Sequence, residues 1–236
     1  MNLDEVPDLS FEVLSRPQDL RDGLRLVADS VAQQRQSSSR VLVFHPVCIG
    51  ALAGALAITH ALGTAYGAHD LGTRISTHAG VVLTYLLAIR YFTGGYVLLA
   101  EETNWLAWLR RADGKGNDVV IGARFGGEII GALVLRLEQD TSTPSSKHCP
   151  GGKGIIRAWT TRTRYRRRGL GCDMLREAVQ FSRKKLGDDA VIEFADDHVN
   201  STMLLHPLFN GHFKAIDNKA KRVLSDATAT GGAKFE

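Results

Sequence analysis

Ile155-Ile-Arg-Ala-Trp-Thr-Thr-Arg-Thr-Arg-Tyr-Arg-Arg-Arg-Gly-Leu-Gly-Cys-Asp-Met-Leu175 is the stretch whose reading decides the fold. It begins with strand character at Ile155, Ile156, Trp159, Thr160 and Thr161, passes through a basic turn, and reaches Gly169 and Gly171 as a helical pattern starts. That order is strand, glycine turn, helix. Glycines at such a junction let the backbone approach a ligand closely, and the first free N–H groups of the helix, with the positive end of its dipole, point at whatever lies there. A phosphate or pyrophosphate is the natural guest. Arg166, Arg167 and Arg168, with Arg162 and Arg164 just before them, add mobile positive charge.

Arg166-x-x-Gly169-x-Gly171 resembles the R/Q-x-x-G-x-G/A pyrophosphate loop of the GNAT superfamily of acetyltransferases. The surroundings carry the same likeness. A hairpin-like pair of apolar runs precedes the loop, the apolar run Ala190-Val-Ile-Glu-Phe-Ala195 follows its helix, and Asn200 opens a segment ending Asn210-Gly211-His212-Phe213. That segment is similar to the family's Asn-initiated helix ending in Gly-Phe, with one extra residue before the aromatic. The resemblance covers 118–213 well and 10–35 loosely. It implies an α/β fold with a mixed, mostly antiparallel sheet and flanking helices, and acetyl-CoA as co-substrate. It assigns the cofactor to Arg166, Arg167, Arg168, Gly169, Leu170 and Gly171 at the loop, to the backbone of Trp159, Thr160 and Thr161, and to Asn200.

Five arginines between Arg162 and Arg168 would also suit RNA, or a solvated turn. The chain as a whole is only mildly basic, at +4, and no aromatic-interleaved or zinc-finger pattern accompanies the run. No nucleic-acid partner is expected. The three cysteines, Cys48, Cys149 and Cys172, have no metal-binding spacing, and their odd number argues against a closed disulfide framework. No metal is expected. Lys147-His148-Cys149 reads as part of an exposed Ser/Thr/Pro/Gly loop between Gln139 and Lys153. The acidic N-terminus lacks the pattern of a cleavable signal peptide.

The spacing predicts a short strand at Phe11–Leu14 and a helix over 18–36, with Leu20, Leu24, Leu26, Val27 and Val31 recurring at helical intervals. The chain then changes character. From Val41 to Thr64 it has no Asp, Glu, Lys or Arg, and Gly50-Ala-Leu-Ala-Gly54 has the small-residue spacing that lets membrane helices approach. A second apolar run, 79–100, follows a polar link at 69–74. At about 1.5 Å per residue, either is long enough to cross a hydrocarbon core of about 30 Å. The reading is a helical membrane hairpin. Arg90 falls near the middle of the second run, at an insertion cost of about 2.5–3.5 kcal/mol unless it snorkels or pairs. A pair of buried soluble helices, or a hairpin entering one leaflet, is the competing reading. Trp105, Trp108, Arg110 and Arg111 then resemble an interfacial helix. Arg35, Arg40, Arg110 and Arg111 outside the hairpin outnumber Arg74 in the link, which favours cytosolic flanks.

Val119–Phe125 and 128–137, joined by Gly126-Gly127, read as a hairpin. The helix from Leu170 turns basic at Arg183-Lys184-Lys185 and stops at Gly187, as a helix C-terminus favours. In the mechanism that the resemblance implies, an amine attacks the thioester directly, so a group must accept its proton and another must attend the leaving thiolate. Glu193, Asp196 and Asp197 are the candidate bases on and after the last strand, and His206 the candidate acid, with His198 competing. The family commonly places a tyrosine on its last helix as general acid, but no tyrosine follows Tyr165 here. The final hairpin of the family is also missing, since 214–227 reads as a short basic helix.

The segments are therefore 1–40, the first strand and helix of the core; 41–111, the membrane hairpin and interfacial helix; 112–213, the acetyl-CoA-binding core; and 214–236, a C-terminal helix and frayed tail. The layout resembles membrane-bound N-acetyltransferases of the endoplasmic reticulum. It implies an endoplasmic-reticulum or other endomembrane protein with its catalytic domain facing the cytosol. The expected partners are acetyl-CoA, the lipid bilayer, and a small amine, amino-acid conjugate or protein amine. A non-catalytic acyl-CoA-binding membrane module is the alternative.

Overall fold

The computed structural model describes residues 7–67, 70–110, 116–139, 152–201 and 204–230. Five strands form one sheet in chain order: β1 (Leu9–Val13), β2 (Val119–Phe125), β3 (Glu128–Glu138), β4 (Lys153–Thr161) and β5 (Val191–Phe194). The first four pair antiparallel, and β4 and β5 run parallel. A parallel pair needs a long crossover, and here it is a helix, α6 (Leu170–Leu186). The remaining helices are α1 (Pro17–Val43), α2 (Pro46–Ala65), α3 (Leu71–Phe92), α4 (Gly95–Glu102), α5 (Trp105–Trp108) and α7 (Gly211–Thr230). This is the mixed α/β architecture, with a mostly antiparallel sheet and flanking helices, that the resemblance implies.

The chain forms two compact units. One comprises Met1–Val31, Ala100–Thr202 and Phe213–Glu236; the other comprises Ala32–Leu99 and Met203–His212. These divisions fall within α1, α4 and α7 and so do not follow the sequence-based segments.

In the first unit, Leu24, Val27 and Val31 of α1 are buried with Leu14. A methyl at Gly23 would lie within ordinary contact of Val120 and Ala132, so this glycine brings α1 close to the sheet. A cluster of β2 and β3 residues, Ile121, Ala123, Leu133 and Leu135, packs with Met174, Leu175, Ala178 and Val179 of α6. Each of the Ile, Leu, Met and Val side chains among them contributes about 1.5–3 kcal/mol through burial. Leu224 and Ala227 of α7 join that cluster, and Arg183 donates to the Thr228 carbonyl at 3.1 Å. The predicted basic helix is thus longer than 214–227 and carries core residues. Helix α6 ends as expected, with Gly187 at φ 106° and its N–H bonded to the Arg183 carbonyl.

In the second unit, α2 has no buried residue. His60 of α2 and His78 of α3 face each other with ring centroids 5.9 Å apart, and the Tyr85 hydroxyl donates to the Val43 carbonyl at 2.9 Å. Two helical stretches, Pro46–Ala65 and Leu71–Glu102, are long and apolar enough to cross a membrane by length and composition.

The apolar runs are divided differently from the sequence reading. Val41–Val43 complete α1, and α2 starts at Pro46, where the fixed φ of proline suits a first helical position and His45 caps by accepting the Val47 N–H. The second run is broken: α3 starts at Leu71, capped by Asp70, stops at Phe92, and α4 begins at Gly95. Arg90 consequently lies in the last turn of α3. There a cation complements the helix dipole.

Candidate active site

Strands β4 and β5 part after a short pairing. Their register ends at Ile156↔Phe194, with one further bond from the Ala195 N–H to the Ile156 carbonyl at 2.9 Å. From Ala158 to Thr161, β4 stays paired with β3, and no strand among the described residues occupies its other edge. A β-bulge marks the divergence, because Val134 pairs with Ala158 and Leu135 with Ile156, leaving Arg157 as the extra residue. A bulge bends a strand and re-aims its side chains. Beyond it, Trp159 packs against the α6-side core cluster that Ile156 joins before it.

Arg157 itself leaves the ladder for a buried ion network. Its guanidinium stacks 3.9 Å from the Trp108 ring, donates to the Trp108 carbonyl at 2.9 Å, and bonds Asp118. Arg136 bonds the same carboxylate through Nε and Nη2 at 3.0 and 3.2 Å. Hydrogen bonding to Asp118 chiefly raises the pKa of Arg136. Trp108, expected at a membrane interface, is therefore engaged within the first unit, and α5 is a single turn. Arg111 and the 140–151 loop, including Lys147-His148-Cys149, lie outside the described residues.

The loop after β4 is held open by its own contacts. Arg162 pairs with Glu128 at 2.7 Å. Arg164 donates to the Tyr165 hydroxyl and lies over that ring, and Tyr165 meets Phe125 edge-on. Arg166 donates from Nε to the Thr161 carbonyl at 3.1 Å, and partial burial lowers its pKa while leaving it a cation. Arg167 has φ 62°, a left-handed conformation rare outside glycine and a frequent companion of function. Gly169 follows at φ 86° as the α6 N-cap, and no side chain caps this end. The first-turn amides of Leu170 and Gly171 therefore keep their donors for an anion, with Arg167 and Arg168 exposed beside them.

Gly171 has a second task. A Cβ there would lie 2.9 Å from Trp159 Cζ2, and the Trp159 indole N–H donates to the Gly171 carbonyl at 3.2 Å. The loop and the open part of β4 are thus one assembly. Phe194 lies beside Trp159, with centroids 5.9 Å apart. Thr160 is buried and Thr161 half-buried.

Past β5, a cavity of about 490 Å³ is lined by Glu193 and Asp196 together with Ser201, Asp217, Lys221 and Thr228. Glu193 also meets Lys153 at 3.5 Å. The structure so brings two of the acid–base candidates to one cavity. His206 belongs to the second unit, where it is exposed and its Nδ1 accepts the Leu208 N–H. Asn200 does not open an α-helix. It lies in a three-residue 3-10 turn, with Pro207–Phe209 forming another, and its Oδ1 accepts from Ser30 at 3.2 Å. A proline and two short turns leave too little uninterrupted backbone for the expected helix.

Sequence reasoning missed Asp217, which no local pattern connects to β5, and placed His198 only second. The His198 ring lies edge-on to Phe194, and burial pushes its pKa down to about 4 against the opposing pull of Asp217 and Asp197. A histidine four residues past the end of β5, two before Asn200, was the available signal. Among the described residues no group of three His, Cys, Asp or Glu gathers to hold a metal ion.

Several solved structures match this chain at low identity. An aminoglycoside N-acetyltransferase in complex with CoA is 9% identical, with 94% of this chain and 90% of that chain covered and a TM-score of 0.39. An acetyltransferase of Trypanosoma brucei is 15% identical over 80% of this chain and 84% of that one, with a TM-score of 0.35. An aminoglycoside acetyltransferase from an uncultured soil metagenomic sample, in complex with trehalose, is 12% identical; 44% of this chain and 57% of that one are covered, with a TM-score of 0.30. This chain thus spans little more than half of that last protein. No curated protein matches it. The acetyltransferase (GNAT) family model matches residues 84–205, just over half of the chain. That segment begins inside α3, contains the loop and the parted strands, and stops before α7. With its strand, strained glycine loop and helix inside the matched region, this chain belongs to the GNAT acetyltransferase family.

Proposed function

We propose that this protein is an acetyl-CoA-dependent N-acetyltransferase anchored to a membrane by α2 and α3, with its catalytic unit facing the cytosol of the endoplasmic reticulum or another endomembrane. The observation that carries the reading is the uncapped, left-handed entry into α6 at Arg167–Gly169, tied through Trp159 and Gly171 to the open edge of β4. In this reading Arg166, Arg167, Arg168 and the amides of Gly169, Leu170 and Gly171 hold the pyrophosphate, and the backbone of Trp159–Thr161 pairs with the pantetheine arm and the acetyl carbonyl.

The acceptor is a small amine, an amino-acid conjugate or a protein amine, received in the cavity past β5. Glu193 or Asp196 there takes the proton that the nucleophilic nitrogen sheds. The engaged Asn200 has a supporting role, bracing the turn against α1 through Ser30. His206 accepts the Leu208 N–H at Nδ1, so Nε2 is the nitrogen from which its neutral ring would donate. One observation favours a non-catalytic acyl-CoA-binding module instead: α7 follows β5 where the family's final hairpin would complete the acceptor wall.

Full-length protein in detergent, given acetyl-CoA and a panel of primary amines, separates the two. Acetylated amine with stoichiometric thiol release supports the enzyme; tight acetyl-CoA binding without either supports the module. Extraction of native membranes with alkaline carbonate tests the anchor, which predicts that the chain stays in the pellet. Release into the supernatant would remove the spanning hairpin from the account.

A further inference from the structure

The sheet ends at β5, and the outer edge of that strand is bare. The Val191 N–H donates to the Gly152 carbonyl at 3.2 Å and the Ala195 N–H to the Ile156 carbonyl at 2.9 Å, so the odd-numbered residues face β4. Successive residues of a strand turn their N–H and C=O groups to opposite edges. Ile192 and Phe194 therefore aim theirs away from β4, and nothing among the described residues bonds them. Such an edge is a template for a further strand.

Helix α7 makes a groove of this edge. Leu224 and Ala227 fix the helix to the core, and Asp217, Lys221, Ser225 and Thr228, on one helical face, share the cavity of about 490 Å³ with residues 192–196. The helix runs opposite to β5. Its Thr228 carbonyl accepts from Arg183, near the start of β5, whereas Asp217 is close enough to His198, past the far end of β5, to pull on the charge of that ring. The helical face from Asp217 to Thr228 is about 16 Å long, and the strand edge from Ile192 to Asp196 is about 13 Å. An extended chain of about four residues matches that length, and a groove between an edge strand and a helix admits one such chain, held by main-chain bonds. A second copy of this protein would bring its own α7 to the same place, which keeps two β5 edges apart. The charges then select which end of the chain lies where. Glu193 is engaged by Lys153 and Asp217 by Lys221, while Asp196 has no cation within ion-pair distance among the described residues. Asp196 lies at the end of the groove where β4 and β5 part.

Resting on the acetyltransferase reading above, we propose that the outer edge of β5 takes the amino-terminal segment of a polypeptide as an added antiparallel strand, and that its α-amine is the group acetylated. Antiparallel pairing sets the amino terminus of the guest at Asp196, and its backbone alternately bonds Ile192 and Phe194. A small amine has no backbone to satisfy those groups. Asp196 passes the ammonium proton to solvent before attack. The neutral nitrogen then forms the C–N bond to the acetyl carbon, and the C–S bond breaks with its electron pair on sulfur. The second nitrogen proton leaves to solvent, which returns one to the thiolate.

The probe is a hexapeptide of alternating valine and arginine with a free amino terminus and a fluorophore at its carboxyl end; without lysine, its α-amine is its one acceptor. Anisotropy reports its binding to full-length protein in non-ionic detergent with coenzyme A present, and the peptide is then N-methylated at one backbone nitrogen at a time. Every second methyl group is expected to weaken binding about tenfold and the intervening ones to leave it unchanged. Loss at no position, or equal loss at all, overturns the proposal. Ile192→Pro removes an outward N–H and keeps the bonds to β4, so it is expected to weaken the peptide about tenfold while still binding acetyl-CoA. Unchanged peptide affinity would place the peptide elsewhere and overturns the proposal. Should that variant not fold, Asp196→Asn decides: the wild type prefers the free-amino peptide to its N-acetylated form about tenfold, the variant loses that preference, and an equal preference in both overturns the proposal. With acetyl-CoA the expected product is the α-acetylated peptide. Protein that acetylates a small amine and leaves the peptide untouched overturns the proposal and leaves the acetyltransferase reading standing. Failure of the folded wild type to bind acetyl-CoA overturns that reading, and this proposal falls with it.

Discussion

The Trp159 indole N–H donates to the Gly171 carbonyl at 3.2 Å, so a strand residue past the splay and the first turn of α6 are held by one bond. The bond joins the two parts of the proposed cofactor site, the edge that would pair with pantetheine and the amides that would hold pyrophosphate.

Gly171→Ala tests that coupling. The new methyl would lie 2.9 Å from the indole ring, which has to turn aside and lose its bond. Acetyl-CoA affinity is expected to fall about tenfold, the equivalent of about 1.4 kcal/mol. A Gly171→Ala/Trp159→Phe double variant, whose smaller ring relieves the clash, should lose less than the two single changes added together. Strict additivity in calorimetry would show that the two residues act independently.

Asp118 is the hub of the network beneath the bulge. Its side chain is fully buried and bonded by both Arg136 and Arg157. Asp118→Ala leaves two guanidinium groups without their anion and is expected to cost about 3–5 kcal/mol in chemical denaturation. Arg157→Met, which removes a charge and keeps apolar contact with Trp108, should cost less. A loss under about 1 kcal/mol for Asp118→Ala would mean that solvent already screens the pair.

Stability should depend on His198 in acid. Its folded pKa is about 4 and its ordinary value 6.5, so between those pH values the unfolded chain binds a proton that the folded chain refuses. Stability from this group is complete above pH 6.5 and is lost as pH falls toward 4, by up to about 3 kcal/mol. His198→Phe should flatten the denaturation midpoint in that window. A variant whose acid slope matches the wild type would move the effect to other groups.

The parts of the fold written in short local patterns were legible. Gly126-Gly127 between two β-rich runs marked the β2–β3 hairpin, and Gly187 after three cations marked the end of α6. The loop was legible because its chemistry is contiguous, from Arg166 to Gly171. Helix boundaries inside apolar sequence were not: Val41–Val43 look like the start of the next run, and only the structure shows that they finish α1 before Pro46. The bulge at Arg157 was hidden because a bulge depends on the pairing of two strands. Cavity membership of Asp217 was hidden for a similar reason, since it depends on how α7 packs beside β5. Asn200 looked like a ligand by motif, but its partner Ser30 comes from a distant part of the chain.

Calorimetric titration of acetyl-CoA into detergent-solubilised full-length protein, with Gly169→Trp beside it, tests the central claim most directly. Gly169 has φ 86°, and a non-glycine residue there costs about 1–2 kcal/mol in backbone strain, which a domain stable by about 5–15 kcal/mol survives. The indole would also fill the anion position at the start of α6. The account predicts micromolar binding by the wild type and none by the folded variant. Absence of binding by folded wild-type protein, or equal binding by both, would contradict it.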